Sequence, residues 1–111
     1  MANVRLKSLL KEIVFVSQIQ SSSLWIKSNG TIVPVKPKDG KYFSLEEMYQ
    51  YTNGGPIQMV ATKDGRIMIL NEEGKLTGLP LNKKATELYK YGSHDPIVGD
   101  VLVCDEKYLE R

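Results

Sequence analysis

Residues 57–70 read IQMVATKDGRIMIL. Two apolar and β-branched runs, Ile57–Thr62 and Ile67–Leu70, flank Lys63-Asp64-Gly65-Arg66. Asp-Gly between such runs signals a tight hairpin, because these residues accept the positive φ angles that the turn requires. The same grammar appears upstream. Leu24-Trp25-Ile26-Lys27 and Thr31-Ile32-Val33-Pro34-Val35 are joined through Ser28-Asn29-Gly30. Pro34 donates nothing to a ladder, so the second of these strands is expected at a sheet edge or at a bulge. A last apolar run, Ile97–Cys104, is almost unbroken and predicts a strand central in the sheet.

Helical signals sit between the strands. Ser44-Leu45-Glu46-Glu47 is a capping box, with a serine to accept from the Glu47 amide and a glutamate to reach back. It predicts a helix from Leu45 to about Tyr51, with Leu45, Met48 and Tyr49 on its inner face. Asn53-Gly54-Gly55-Pro56 ends it. Asn82 caps a second short helix through Ala85, Leu88 and Tyr89, with Gly92 as its stop. Leu6, Leu9, Leu10, Ile13 and Val14 repeat at helical spacing behind Asn3 and predict a third helix over 4–19. The expected fold is α+β in a single domain. It has a small, mostly antiparallel sheet of about five strands with two or three helices. Residues 1–22 form a helical extension and residues 23–111 the α+β domain.

Length and composition set the outer bounds. At 111 residues, 41% hydrophobic and 25% charged, the chain fits one soluble globular domain. No apolar run approaches the roughly 18–20 residues that span a bilayer, so no membrane is expected. Fifteen Lys and Arg against thirteen Asp and Glu give a net charge of +2. That is too balanced for the basic stripe of a duplex-DNA binder. The charge is unevenly spread: residues 1–43 carry seven basic and two acidic groups (+5), and residues 44–111 carry eight and eleven (−3). Cys104 is the single cysteine. No internal disulfide can form, and a reducing cytoplasm is the expected compartment.

No arrangement of residues points to catalysis. His94 and Cys104 are too few for a metal cluster. The glycines form no phosphate-binding motif. Glu46-Glu47 and Glu72-Glu73 fall in a first helical turn and a loop. Neither an enzyme nor a cofactor is expected. The aromatics are more informative. Trp25, Tyr42, Phe43, Tyr49 and Tyr51 crowd one stretch beside Lys27, Lys36, Lys38 and Lys41. Rings stack on bases and cations hold phosphates, so this mixture suits a nucleotide or a single strand of nucleic acid. Tyrosines equally anchor protein interfaces. The candidate ligand-binding residues are Trp25, Lys36, Lys38, Tyr42, Tyr49, Arg66, Asn71 and Lys75, with Arg66 and Lys75 expected at neighbouring turn tips within reach of one phosphate.

One resemblance extends these readings. Gly54-Gly55, Asp64-Gly65-Arg66, Asn71 with Glu73-Gly74-Lys75-Leu76, Gly78-Leu79-Pro80 with Asn82, Ala85-Thr86 and Gly99-Asp100-Val101-Leu102 together resemble a domain-of-unknown-function family. That family is widespread in tailed phages and in mobile elements of Gram-positive bacteria. The resemblance covers about residues 24–104. It implies an accessory protein acting in the host bacterial cytoplasm. The leading expectation is a homo-oligomer that counters host defence by sequestering a nucleotide-type immune signal between subunits, with the Pro34 strand and residues 1–22 as candidate contacts. The alternatives are a direct inhibitor of a host defence protein and a weak single-stranded nucleic-acid binder.

Overall fold

The structure, a computed structural model, describes residues 23–110. The expected helix over 4–19, like the whole 1–22 extension, lies outside the described residues. Strands β1 (Ser23–Ile26), β2 (Ile32–Val35), β3 (Ile57–Ala61), β4 (Ile67–Asn71) and β5 (Val101–Cys104) make one sheet in the order β2-β1-β5-β4-β3. Every neighbouring pair is antiparallel. Helix α1 (Leu45–Tyr51) follows β2, α2 (Lys83–Leu88) precedes β5, and a 3-10 turn at Glu106–Tyr108 closes the chain. The fold is α+β.

Side chains alternate across each strand, so the sheet builds two cores. On one face Leu24, Ile26, Met68, Val101 and Val103 pack with Ala85 and Ile97, and α2 lies over them. On the other, Ile69, Leu102 and Cys104 pack with Phe43 and, from α1, Met48 and Tyr51. All four residues of β5 are fully buried. Both faces of β5 are covered, which is why its sequence is apolar without alternation. The strand begins later than the apolar run suggests. Gly99 has φ +79°, and a Cβ there would stand 2.8 Å from Leu79 Cδ1. The chain therefore bends at Gly99-Asp100 before pairing starts.

Pro34 sits where its chemistry allows. The Lys27 N–H donates to the Thr31 carbonyl at 2.8 Å at the mouth of the hairpin. Antiparallel bonds alternate, so Val33 and Val35 bond to β1 while Ile32 and Pro34 turn their backbone outward. The absent N–H falls on the outward side of β2, which has no strand partner among the described residues, and leaves that edge short of a donor.

The α1 face differs from the sequence reading. The capping box forms, with the Glu47 N–H donating to Ser44 Oγ and the Ser44 N–H donating to Glu47 Oε1. Glu47 Oε2 also accepts from the Lys38 N–H at 3.0 Å, and the residue is buried. At about 100° per residue, Glu47, Met48, Tyr51 and Thr52 share the inner side. Leu45 and Tyr49 fall on the outer side, with relative exposures of 51% and 36%.

Asn82 ties the halves together. Its Oδ1 accepts from the Ala85 N–H as the α2 cap, and its Nδ2 donates to the carbonyls of Ile26 and Gly99, each at 2.9 Å. The side chain is 1% exposed. Replacing it removes a cap and two buried bonds, so Asn82→Ala is expected to destabilise the protein by about 2–4 kcal/mol. Asn82→Asp keeps the acceptor but loses both donors, so it recovers little of that loss. Urea unfolding of the three proteins checks this.

Candidate functional site

Two opposite ends of the sheet organise the candidate residues. The first end holds the β1–β2 turn, the close of α1 and the start of β5. The second holds the β2–α1 loop, the β3–β4 turn and the C-terminal turn. Trp25 lies on the α1 face of β1. Its Nε1 donates to the Tyr51 carbonyl at 3.1 Å, and its ring meets the Tyr51 ring at 5.2 Å and 62°. The row continues from Tyr51 to Phe43 and on to Tyr108, edge to face. Lys27 Nζ stands 4.0 Å from the centroid of the indole. An incoming base would have to displace that lysine to stack on this ring. Burial, then the charge of Glu47, pushes the Tyr51 hydroxyl above its ordinary value.

Lys36, Lys38 and Tyr42 stand in the β2–α1 loop. The two lysines are exposed, and Tyr42 is half-buried beside Lys41 at 5.0 Å. Asp39 stabilises this loop by accepting from the Lys41 and Tyr42 N–H groups, which hold its carboxyl below the usual range. Tyr42 borders a shallow open groove whose other walls include Asp105, Glu106, Glu110 and Lys107. The carboxylates arrive because the Phe43 N–H donates to the Tyr108 carbonyl and folds the C-terminal turn back against the loop. A phosphate in this groove would therefore meet three carboxylates beside Lys107, with Lys41 against the Tyr42 ring.

Arg66 and Lys75 stand at opposite ends of β4 rather than at neighbouring turn tips. Arg66 precedes β4 and Lys75 follows it, so the strand separates them by more than about 13 Å of rise. Arg66 turns back on its own hairpin, with Nη2 2.7 Å and Nε 2.9 Å from Asp64 Oδ2. Burial raises the Asp64 carboxyl, but bonds from Arg66 and Thr62 outweigh it and leave the group below its ordinary value. Lys75 pairs with Asp95 beside a recess of about 80 Å³. Small-molecule sites enclose about 300–1,000 Å³; this recess is smaller, and the groove beside Tyr42, at about 620 Å³, is of that size but open to solvent. Asn71 is buried, donating to the Thr52 carbonyl and accepting from the Glu73 N–H. The eight candidates thus fall into separate neighbourhoods rather than one pocket.

The motif residues behave differently from the surface ones. Asn53 and Asp100 clasp each other: Asn53 Oδ1 accepts from the Asp100 N–H, and Asn53 Nδ2 donates to Asp100 Oδ2. Asp100 Oδ1 also accepts from the Ser28 N–H. A Cβ on Gly55 would lie 2.2 Å from Asn71 Nδ2. These contacts, with the Asn82 cap, fix turns against strand ends. Residues 24–110 match the family described as Domain of unknown function (DUF3846). The chain belongs to this family. No curated protein and no solved structure matches it. In this DUF3846 chain, Gly55, Asn71, Asn82 and Gly99, which carry part of the resemblance, hold the fold, while Lys75 and Leu76 stand exposed and Lys75 shares its recess with Asn71.

Cys104 is the remaining nucleophile. It is buried against the α1 face, and burial, then Asp105, pushes its thiol up to about 12. His94 follows α2, and its neighbour Asp95 stands on the opposite face of the sheet. Among the described residues, no group of three or more His, Cys, Asp or Glu is placed to hold a metal ion, and no helix is long and apolar enough to cross a membrane. The folded protein is expected to resist thiol reagents at pH 8, while urea-unfolded protein reacts fully. The raised thiol favours the folded state below the unfolded value near 9.0, and that contribution is lost as pH rises from there toward about 12. A timed aromatic-disulfide assay, with and without urea, measures the difference.

Proposed function

We propose that this chain is a non-catalytic protein-binding module and that it holds a host defence protein directly. The phage and mobile-element resemblance supplies the setting. The observation that carries the reading is the outer face of α1. Leu45 and Tyr49 are one helical turn apart, both exposed, on a helix anchored beneath by Glu47, Met48 and Tyr51. An aliphatic and a tyrosine on a rigid element form the kind of anchor that dominates protein interfaces. The helix is immobilised before binding, so little ordering cost falls on association. A nucleotide sponge is less well supported, since the candidate cations and rings are dispersed and Tyr42 faces carboxylates.

The test combines host and solution measurements. Tagged protein is purified from a host that carries the targeted defence, beside a Leu45→Asp, Tyr49→Ala variant. A stoichiometric host protein is expected with the native chain and absent with the variant. Tyr49→Ala alone should weaken the isolated complex by about 30-fold, the effect of losing a hot spot of about 2 kcal/mol. Calorimetry against cyclic dinucleotides and ADP-ribose-type signals should show no heat. Tight nucleotide binding that survives the α1 variant would overturn the reading.

A further inference from the structure

The two edges of the sheet are not alike, and the difference concerns a surface separate from α1. At one end of β3 the Glu72 N–H donates to the Pro56 carbonyl at 2.7 Å; at the other the Thr62 N–H donates to the Arg66 carbonyl at 3.1 Å. The alternation of antiparallel bonds then turns Gln58 and Val60 toward β4, and Ile57, Met59 and Ala61 outward. The Ala61 carbonyl is taken by the Lys90 N–H, and the Lys63 N–H by the Leu88 carbonyl. The segment after α2 thus covers the lower part of this edge. The outward backbone groups of Ile57 and Met59 have no partner among the described residues.

We propose that this upper edge of β3 pairs with the same edge of a second copy of the chain, making a two-fold dimer with one continuous sheet. The sequence Ile57-Gln58-Met59 is self-complementary in the required sense. A two-fold axis through Gln58 places Ile57 opposite Met59 of the second copy, and Met59 opposite its Ile57. Both outward N–H groups and both outward carbonyls of each chain then find partners, giving four inter-chain bonds. On the α1 face, the Ile57 and Met59 side chains of the two copies meet. That covers Met59, which is 49% exposed in the single chain. On the other face, Gln58 meets Gln58, an uncharged pair with no like-charge cost. No charged residue or proline interrupts Ile57–Ala61. Native sheets blunt unpaired edges with such residues, as Pro34 does on β2. An isologous contact closes on itself and so stops at two copies.

The register gives a specific test. Gln58 and its symmetry mate form a non-hydrogen-bonded pair, the closest approach of side chains in an antiparallel ladder and within reach of a disulfide. Full-length Gln58→Cys protein, treated with oxidised glutathione, is expected to run as a covalent dimer. Ala61→Cys, exposed on the same strand but out of register, is expected to cross-link at least about tenfold more slowly. Cys104 is buried and does not compete. Sedimentation velocity of the native chain should show a concentration-dependent monomer–dimer equilibrium. Met59→Lys charges the edge, and Met59→Pro removes only an outward N–H. Each should raise the dimer dissociation constant by at least about tenfold while circular dichroism stays native. A native chain that is monomeric up to millimolar concentration overturns the proposal. So does a dimer that both Met59 variants leave intact. Loss of the host partner on α1 substitution leaves this equilibrium unchanged, so the two proposals fail separately.

Discussion

Among the described residues the two hairpins do not pair with each other; in the sheet, β5 stands between them. β1 bonds to β5 on one side and β4 bonds to it on the other. Neither hairpin is self-sufficient, because a two-stranded ribbon is at best marginally stable in water. The sheet therefore depends on a strand drawn from the last part of the chain, and its placement has to be enforced. Asn82 grips the Gly99 carbonyl just before β5 while gripping Ile26 in β1. Asn53 and Asp100 do the same from the end of α1. With these in place, β5 buries all of its side chains between the two helices. Each fully buried aliphatic contributes roughly 1.5–3 kcal/mol, so a misplaced β5 forfeits that contribution for Val101, Leu102 and Val103 together.

What was legible in the sequence is what is local. Asn29-Gly30 and Asp64-Gly65 announced hairpins because the turn dictates its own residues. Ser44 with Glu47, and Asn82 with Ala85, announced helix starts because caps act over three residues. The inner face of α1 was misread for a local reason with a non-local cause. Leu45 and Tyr49 are more apolar than Glu47, yet Glu47 is buried because its second oxygen holds the Lys38 N–H of a preceding loop. Nothing in a periodicity count includes that bond. The late start of β5 was hidden likewise, since Ile97-Val98 look like strand until Gly99 is seen in the left-handed region.

The candidate site was less legible than the fold, and charge shows why. The first segment of the sequence is basic and the remainder acidic. Among the described residues, folding brings the two together. The β2–α1 loop carries Lys36, Lys38 and Lys41, and the C-terminal turn lays Asp105, Glu106 and Glu110 beside Tyr42. Arg66 and Lys75 are nine positions apart, near enough in sequence to suggest a common phosphate. A strand lies between them, and extended backbone converts short sequence separation into long distance.

The residues that the fold restricts and those on the outer face of α1 are therefore different sets. Gly55 leaves room for the Asn71 amide, Gly99 accommodates Leu79 and Asn53, and Asn82 satisfies three backbone groups. Such positions restrict their residue type through sterics and hydrogen bonding whatever the protein binds. Leu45 and Tyr49 are under no comparable restriction from the fold, since neither side chain is enclosed by it. A scaffold built this way can keep its turns and caps constant while the side chains on its outer helical face change at little cost to stability. In this chain the buried turns and caps specify the frame, and the outer side of α1 is a surface that the frame leaves free to vary.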